Sequence, residues 1–174
     1  MRTFVAVSSV AFVISAVATW QSTADALFRR MSSDLCAPTD NAYRDSLIWQ
    51  LPDGLFNHSN SSTGTVQCSF PADSHFNQSQ VRRVNVHVTD GHATSEITAR
   101  TCVTHWWVHG GACSAQGTTN FTGVQVIELT GIGAGQGVEM WSTWPSSFPY
   151  VRVGLPPWVT AYSYLRGIFA QDTI

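Results

Sequence analysis

Three segments of this chain alternate apolar and polar residues with a period of two, and after residue 31 no segment keeps a helical period for three turns. In residues 65–70 the apolar set is Val66, Cys68 and Phe70. In residues 84–88 it is Val84, Val86 and Val88, with Asn85 and His87 on the opposite side. In residues 150–155 it is Val151, Val153 and Leu155. Successive side chains of a strand point to opposite faces, so each segment reads as a strand with one buried side. Residues 97–108, 124–129 and 158–169 add stretches rich in β-branched or aromatic residues. Turn-rich segments lie between them, at 57–64, 72–80, 90–91, 110–111, 131–137 and 146–149. About six to nine short strands follow from this spacing, and with them an all-β chain. The expected architecture is a single antiparallel β-sandwich, Ig-like or jelly-roll-like, over residues 46–174.

The first 26 residues bear on compartment. Arg2 is the only charge ahead of residues 3–18, which are Ala, Val, Ile, Phe, Ser and Thr throughout. Two small-x-small sites follow, Ala16-Val17-Ala18 and Ala24-Asp25-Ala26. A charged start, a short apolar run and an A-x-A-like end describe a secretory signal peptide. A spanning helix needs about 20 apolar residues, and this run is shorter and diluted by Ser8, Ser9 and Ser15. Cleavage after Ala26 is preferred to cleavage after Ala18. It leaves 148 residues, enough for one domain with its own core. The mature chain is expected to be secreted, periplasmic or on the cell surface, with no membrane span. Residues 27–45 read as an N-terminal leader that begins with a helical turn at 27–31.

Cys36, Cys68, Cys102 and Cys113 all lie in the mature part. An even count in an exported chain implies two disulfides, and the spacings match no paired C-x-x-C zinc pattern. Of three possible connectivities, the lower entropic cost of short loops favours Cys36–Cys68 with Cys102–Cys113. Against it, a tight turn at Gly110-Gly111 sets Cys113 opposite Val108. Asp90-Gly91 raises a second register question. Read as a two-residue hairpin turn, it pairs Val84 with Ile97 and turns Ile97, Ala99, Thr101 and Val103 inward. Cys102 then points away from the valines of its neighbour. A bulge resolves this, as does a longer turn over about residues 90–95; the longer turn is preferred.

Charged residues are 11% of the chain, and the net charge is −2. Arg29-Arg30 and Arg82-Arg83 are the only basic doublets, so there is no footprint for nucleic acid. Lysine is absent, which excludes a phosphate-loop lysine, a Schiff-base lysine and a Ser-Lys dyad. The glycines of residues 131–137 fit neither alignment of G-x-G-x-x-G, whose last position falls on Gln136 or Val138. No helical pattern follows them to bind a phosphate. G-x-S-x-G and H-E-x-x-H are both missing. On a strand, His105 and His109 stand roughly 13 Å apart, too far to share a zinc held at about 2.0–2.1 Å. His87 and His92 would have to complete any such site. Asp90, Glu96, Glu128 and Glu139 are the carboxylates available for a glycosidase pair, and nothing else supports one. The expectation is a non-enzymatic chain with no cofactor and no metal.

The remaining signal is aromatic. Trp141-Ser142-Thr143-Trp144-Pro145, Phe148-Pro149-Tyr150 and Pro156-Pro157-Trp158 crowd rings into expected loops. Loop Trp and Tyr stack on sugar rings or anchor a partner surface; the competing role for each is a buried lid on a small core. Trp141, Trp144, Tyr150 and Trp158 are therefore the candidate binding residues of a module for a carbohydrate or cell-surface component. Two alternatives stand beside it. One is a structural subunit of an extracellular envelope or matrix, with its aromatics buried against a copy of itself. The other is a secreted metal-dependent hydrolase. Asn57, Asn60, Asn77 and Asn120 each begin an N-x-Ser/Thr pattern, a glycosylation acceptor in a eukaryotic host and a polar loop in a bacterium.

Cys36-Ala37-Pro38, Asn57, Val66-Gln67-Cys68, Val86-His87-Val88-Thr89-Asp90, Cys102 and the run from Tyr150 to Pro157 follow one another in a recognisable order. That order resembles uncharacterised secreted proteins of GC-rich, myxobacteria-like bacteria. The last element of those proteins reads Tyr-x-x-Cys-x-Leu-Pro-Pro; here Val153 stands at the cysteine position. The family's disulfide pattern therefore does not carry over. The resemblance implies a disulfide-held, exported β-sandwich and no activity.

Overall fold

The computed structural model describes residues 28–39, 48–70, 80–104, 111–130, 141 and 148–171. The described chain is built of twelve strands. They are β1 (Phe28–Ser32), β2 (Cys36–Pro38), β3 (Ile48–Leu51), β4 (Gly54–Asn57), β5 (Gly64–Ser69) and β6 (Arg83–Asp90). β7 (Thr98–Thr104), β8 (Gly111–Cys113), β9 (Gly117–Thr118), β10 (Gly123–Thr130), β11 (Phe148–Leu155) and β12 (Tyr164–Gln171) complete them. Sheet A has the order β10-β6-β12-β4-β3, with β1 also on β12; sheet B has the order β2-β5-β11-β7-β8, with β9 also on β7. Both are antiparallel, and they pack together as the β-sandwich that the alternation implies.

Period-two patterning decides the packing. Sheet B turns Val66, Cys68, Ala99, Val103, Val151 and Val153 inward, and sheet A meets them with Val84, Val86, Val88, Leu165, Ile168 and Ala170. Full burial of a Val or Leu side chain contributes about 1.5–3 kcal/mol, so these two facing sets are the main source of cohesion. Asn85 and His87 fall on the outer side of β6, as their places in the repeat require.

Three expectations change. Residues 28–32 form a strand rather than a helical turn, because Met31 is buried in the core and β1 lies along β12. The leader stretch thus contributes β1 and β2, joined by a 3-10 turn at Ser33–Leu35. Strands are also more numerous than six to nine, because β2, β3, β4, β8 and β9 are two to four residues long, too short to show a period. Finally, β6 and β7 do not form a hairpin. β6 pairs with β10 and β12 in sheet A, and β7 pairs with β11 in sheet B. Residues 91–97 cross between the layers, so Ile97, Ala99, Thr101 and Val103 are buried without any register to β6.

The disulfides are Cys36–Cys68 and Cys102–Cys113, the short-loop pairing. Each joins direct register partners on neighbouring strands. Thr104 faces Gly111 and Cys113 faces Cys102 rather than Val108. Among the described residues no helix is long and apolar enough to cross a membrane.

Candidate functional site

Two polar hubs fix the loops at one end of the sandwich. Asn57, at the end of β4, donates its side-chain amide to the carbonyls of Ser62 (2.7 Å) and Leu155 (3.0 Å), and accepts from the Ser59 N–H at 2.9 Å. Ser59 Oγ in turn accepts from the N–H groups of Ser61 and Ser62, and its carbonyl accepts the Trp158 N–H at 2.8 Å. Asp90, at the end of β6, is the second hub. Its carboxylate accepts from the His92 N–H (2.9 Å), the Ser163 hydroxyl (3.0 Å) and the Thr119 hydroxyl. Ser163 Oγ also accepts the Gly91 N–H. A Cβ on Gly91 would stand 2.4 Å from the Tyr162 carbonyl, so only glycine allows the two loops to meet there.

These hubs hold a cluster of rings. Trp158 and Tyr162 lie on the β11–β12 loop, His58 follows β4, and Phe56 and Tyr164 face each other across β4 and β12. His58 stacks on Trp158 (6.3 Å, 20°) and on Tyr162 (6.5 Å, 19°), while Trp158 and Tyr162 are 5.5 Å apart. Phe56 lies beneath, 4.7 Å from Tyr162 and 5.7 Å from Tyr164. Phe56 is buried, whereas His58, Trp158, Tyr162 and Tyr164 are half-buried. The arrangement is a surface of several rings on a ring foundation, on the outer side of sheet A.

The same face continues along β12. Arg166 is the extra residue of a bulge between Leu165 and Gly167, and bulges re-aim side chains. Its Nε donates to Thr89 Oγ1 at 2.5 Å, beside Tyr164. Next come Gly167 opposite His87, then Phe169 between Asn85 and Arg30. Arg30 lies over the Phe169 ring at 5.7 Å, a cation–π contact. A Cβ on Gly167 would stand 2.8 Å from the Met31 carbonyl, so β1 lies too close for a side chain there, and the face around it is hollow. Arg30, Asn85, His87, Arg166 and Phe169 line this hollow of about 480 Å³. Beyond Asn85, Glu128 is held at 3.5 Å by Arg83.

The sequence-derived candidates separate. Trp141 is fully buried, packs on Phe70 at 5.1 Å and donates its indole N–H to the Cys102 carbonyl at 2.9 Å. It is a core residue with no ring face for a ligand, the lid role rather than the binding role. Tyr150 lies at the far end of β11 from Trp158, beside Cys102 on sheet B, so the two share no platform. Trp158 lies in the ring cluster with His58 and Tyr162, apart from Trp141 and Tyr150, and Trp144 lies outside the described residues. So do Asn77, His105, His109, Glu139 and the glycines at 131–137. Among the described residues no three His, Cys, Asp or Glu side chains converge to hold a metal. Asp90 is buried as a structural hub, and Glu128 is paired. Asn57 is buried with its amide engaged, which closes it to glycosylation in the folded chain; Asn60 and Asn120 are exposed.

His58, Tyr162, Tyr164, Arg30 and Arg166 were not singled out by sequence. For Tyr162, Tyr164 and Arg166 the one signal was the aromatic density of residues 158–169, which reads equally well as core, while Arg30 stood only in a basic doublet and nothing local marked His58. Comparison with protein-family models and with curated proteins finds no match.

Proposed function

We propose that this chain is an exported, non-enzymatic module that binds carbohydrate through the ring surface of His58, Trp158, Tyr162 and Tyr164. The observation that carries the reading is mutual stacking of partly exposed rings on loops immobilised by the Asn57 and Asp90 hubs. Flat aromatic faces fixed in advance lose little side-chain entropy on binding, which favours weakly polar ligands such as the C–H faces of sugar rings. Two disulfides accord with an oxidising compartment, and the amino-terminal pattern supplies the export signal. A glycan array and polysaccharide pull-down test the reading. Trp158→Ala and Tyr162→Ala are expected to abolish the retained signal; unchanged binding by both variants refutes it.

A structural envelope subunit is the second reading. The observation favouring it is the edge strand β10, whose outward Val124 and Val126, with Phe121 ahead of them, are exposed at 48–69%. Open strand edges are templates for pairing. Light scattering decides it: a concentration-independent monomer removes this reading.

A further inference from the structure

We infer that the hollow beside the rings takes a carboxylate, so that the ligand of this face is an acidic, uronate-bearing polysaccharide. The inference rests on the carbohydrate reading above and adds the class of sugar. Its grounds are independent of the aromatic cluster.

The hollow lies on the same strand as Tyr164, and its residues follow in register. Arg166 stands next to Tyr164 along β12, His87 lies across from Gly167, and Asn85 and Arg30 flank Phe169. Among the described residues no carboxylate lines it. Asp34 stands in the adjoining hollow on the other side of Arg166, and Glu128 is drawn to Arg83. Among the described residues Arg166 engages only its Nε, with Thr89, and its terminal N–H groups remain for a ligand. A guanidinium offers planar, paired donors that match a carboxylate, and such charge-assisted bonds are about twice as strong as neutral ones.

A carboxylate is not the whole of the requirement. Asn85, half-buried in the lining, carries an amide able to pair with a sugar hydroxyl, and Phe169 offers apolar surface to the ring carrying that hydroxyl. A bare anion or an acidic peptide side chain supplies charge without a hydroxyl. The volume, about 480 Å³, is within the range of small-molecule sites. An acidic polysaccharide laid along β12 therefore meets rings at one end and a cationic, hydroxyl-accepting hollow at the other. The chain's overall charge of −2 makes this a local match and not bulk attraction.

Isothermal titration of the mature protein with oligogalacturonate, a neutral gluco-oligosaccharide of equal length and poly-L-glutamate tests it. Oligogalacturonate is expected to bind at least about tenfold more tightly than either control, and to weaken as salt is raised. Arg166→Gln and Arg30→Gln should each remove that preference and leave neutral-sugar binding unchanged, with each variant folded by circular dichroism. Arg152→Gln, on the outer face of sheet B, should change nothing. Equal affinity for the acidic and neutral sugars, or for poly-L-glutamate and oligogalacturonate, overturns the inference. So does a preference that survives both arginine substitutions. If the neutral sugar binds and is lost in Tyr162→Ala while the acidic preference is absent, only the inference falls. If no sugar binds at all, the carbohydrate reading falls with it.

Discussion

The outer faces of the two sheets both carry arginines and differ in what surrounds them. On sheet B, Gln67, Arg152 and Arg100 stand side by side on β5, β11 and β7, and Arg100 donates to Gln116 at 2.6 Å. Thr65, Ser69, Thr98 and Thr104 fill much of the rest. This is what an antiparallel sheet needs to face water. On sheet A, Arg30 and Arg166 instead border a hollow, next to rings stacked on one another. Two arginines on a sheet face therefore do not mark a site. What marks one is the absence of a side chain at Gly167, the bulge at Arg166 and the hubs that hold the neighbouring loops. The means of holding differ as well. Both disulfides lie in sheet B, whereas the loops over sheet A are fixed by Asn57 and Asp90 through hydrogen bonds.

The sharpest test of that contrast uses two tryptophans. Trp141→Ala is expected to cost about 3–5 kcal/mol in urea denaturation, because it empties a fully buried volume. Trp158→Ala, on the half-buried ring surface, should cost roughly 1 kcal/mol or less. Similar losses for the two would break the division between core and face.

Next in size are the disulfides. Replacing both members of a pair by alanine should cost about 4 kcal/mol for Cys36–Cys68 and about 3 kcal/mol for Cys102–Cys113 from loop entropy, since the first closes 32 residues and the second 11. Hydrogen exchange should then rise first at the edges of sheet B, at β2 and β8. An equal rise in the loops over sheet A would show that the two regions are not separately held.

Asp90→Ala should cost about 1–3 kcal/mol, since the hydroxyls of Thr119 and Ser163 lose a buried acceptor. Its larger signature is expected at Tyr162, whose loop hangs on Ser163, seen as faster exchange of residues 161–163. The smallest effect belongs to sheet B. Arg152→Gln should alter stability by less than about 0.5 kcal/mol, and a larger change would assign that face a role it lacks here.

Much of the sandwich is legible in the chain because β5, β6 and β11 carry an alternating pattern in their own residues, and β7, β10 and β12 fall in stretches rich in β-branched or aromatic residues. Val84, Val86 and Val88 reveal the inner side of β6 without reference to any neighbour. Pairing is not legible in that way. β5, β6, β7, β10, β11 and β12 alternate between sheet B and sheet A, so each has partners distant in sequence. Asp90-Gly91 suggests a hairpin because both flanks look like strands, yet Asp90 is a hub that sends the chain across to the other layer. The site follows the same rule. Trp158 is visible as a loop aromatic, but its partner His58 comes from a loop about a hundred residues earlier in the chain. Trp141 looks identical to Trp158 in sequence, and only the packing of Phe70 and the Cys102 carbonyl distinguishes them. Arg166 gains its position from a bulge that no local pattern announces.

The central claim is that the outer face of sheet A, and not that of sheet B, meets the ligand. Paired glycan arrays of two double variants test it most directly: Trp158→Ala/Tyr162→Ala on sheet A, and Gln67→Ala/Arg152→Gln on sheet B. The account predicts that glycans retained by the unaltered protein are lost from the first variant and kept by the second, with both variants folded by circular dichroism. Retention by the first variant, or loss from the second, would contradict it.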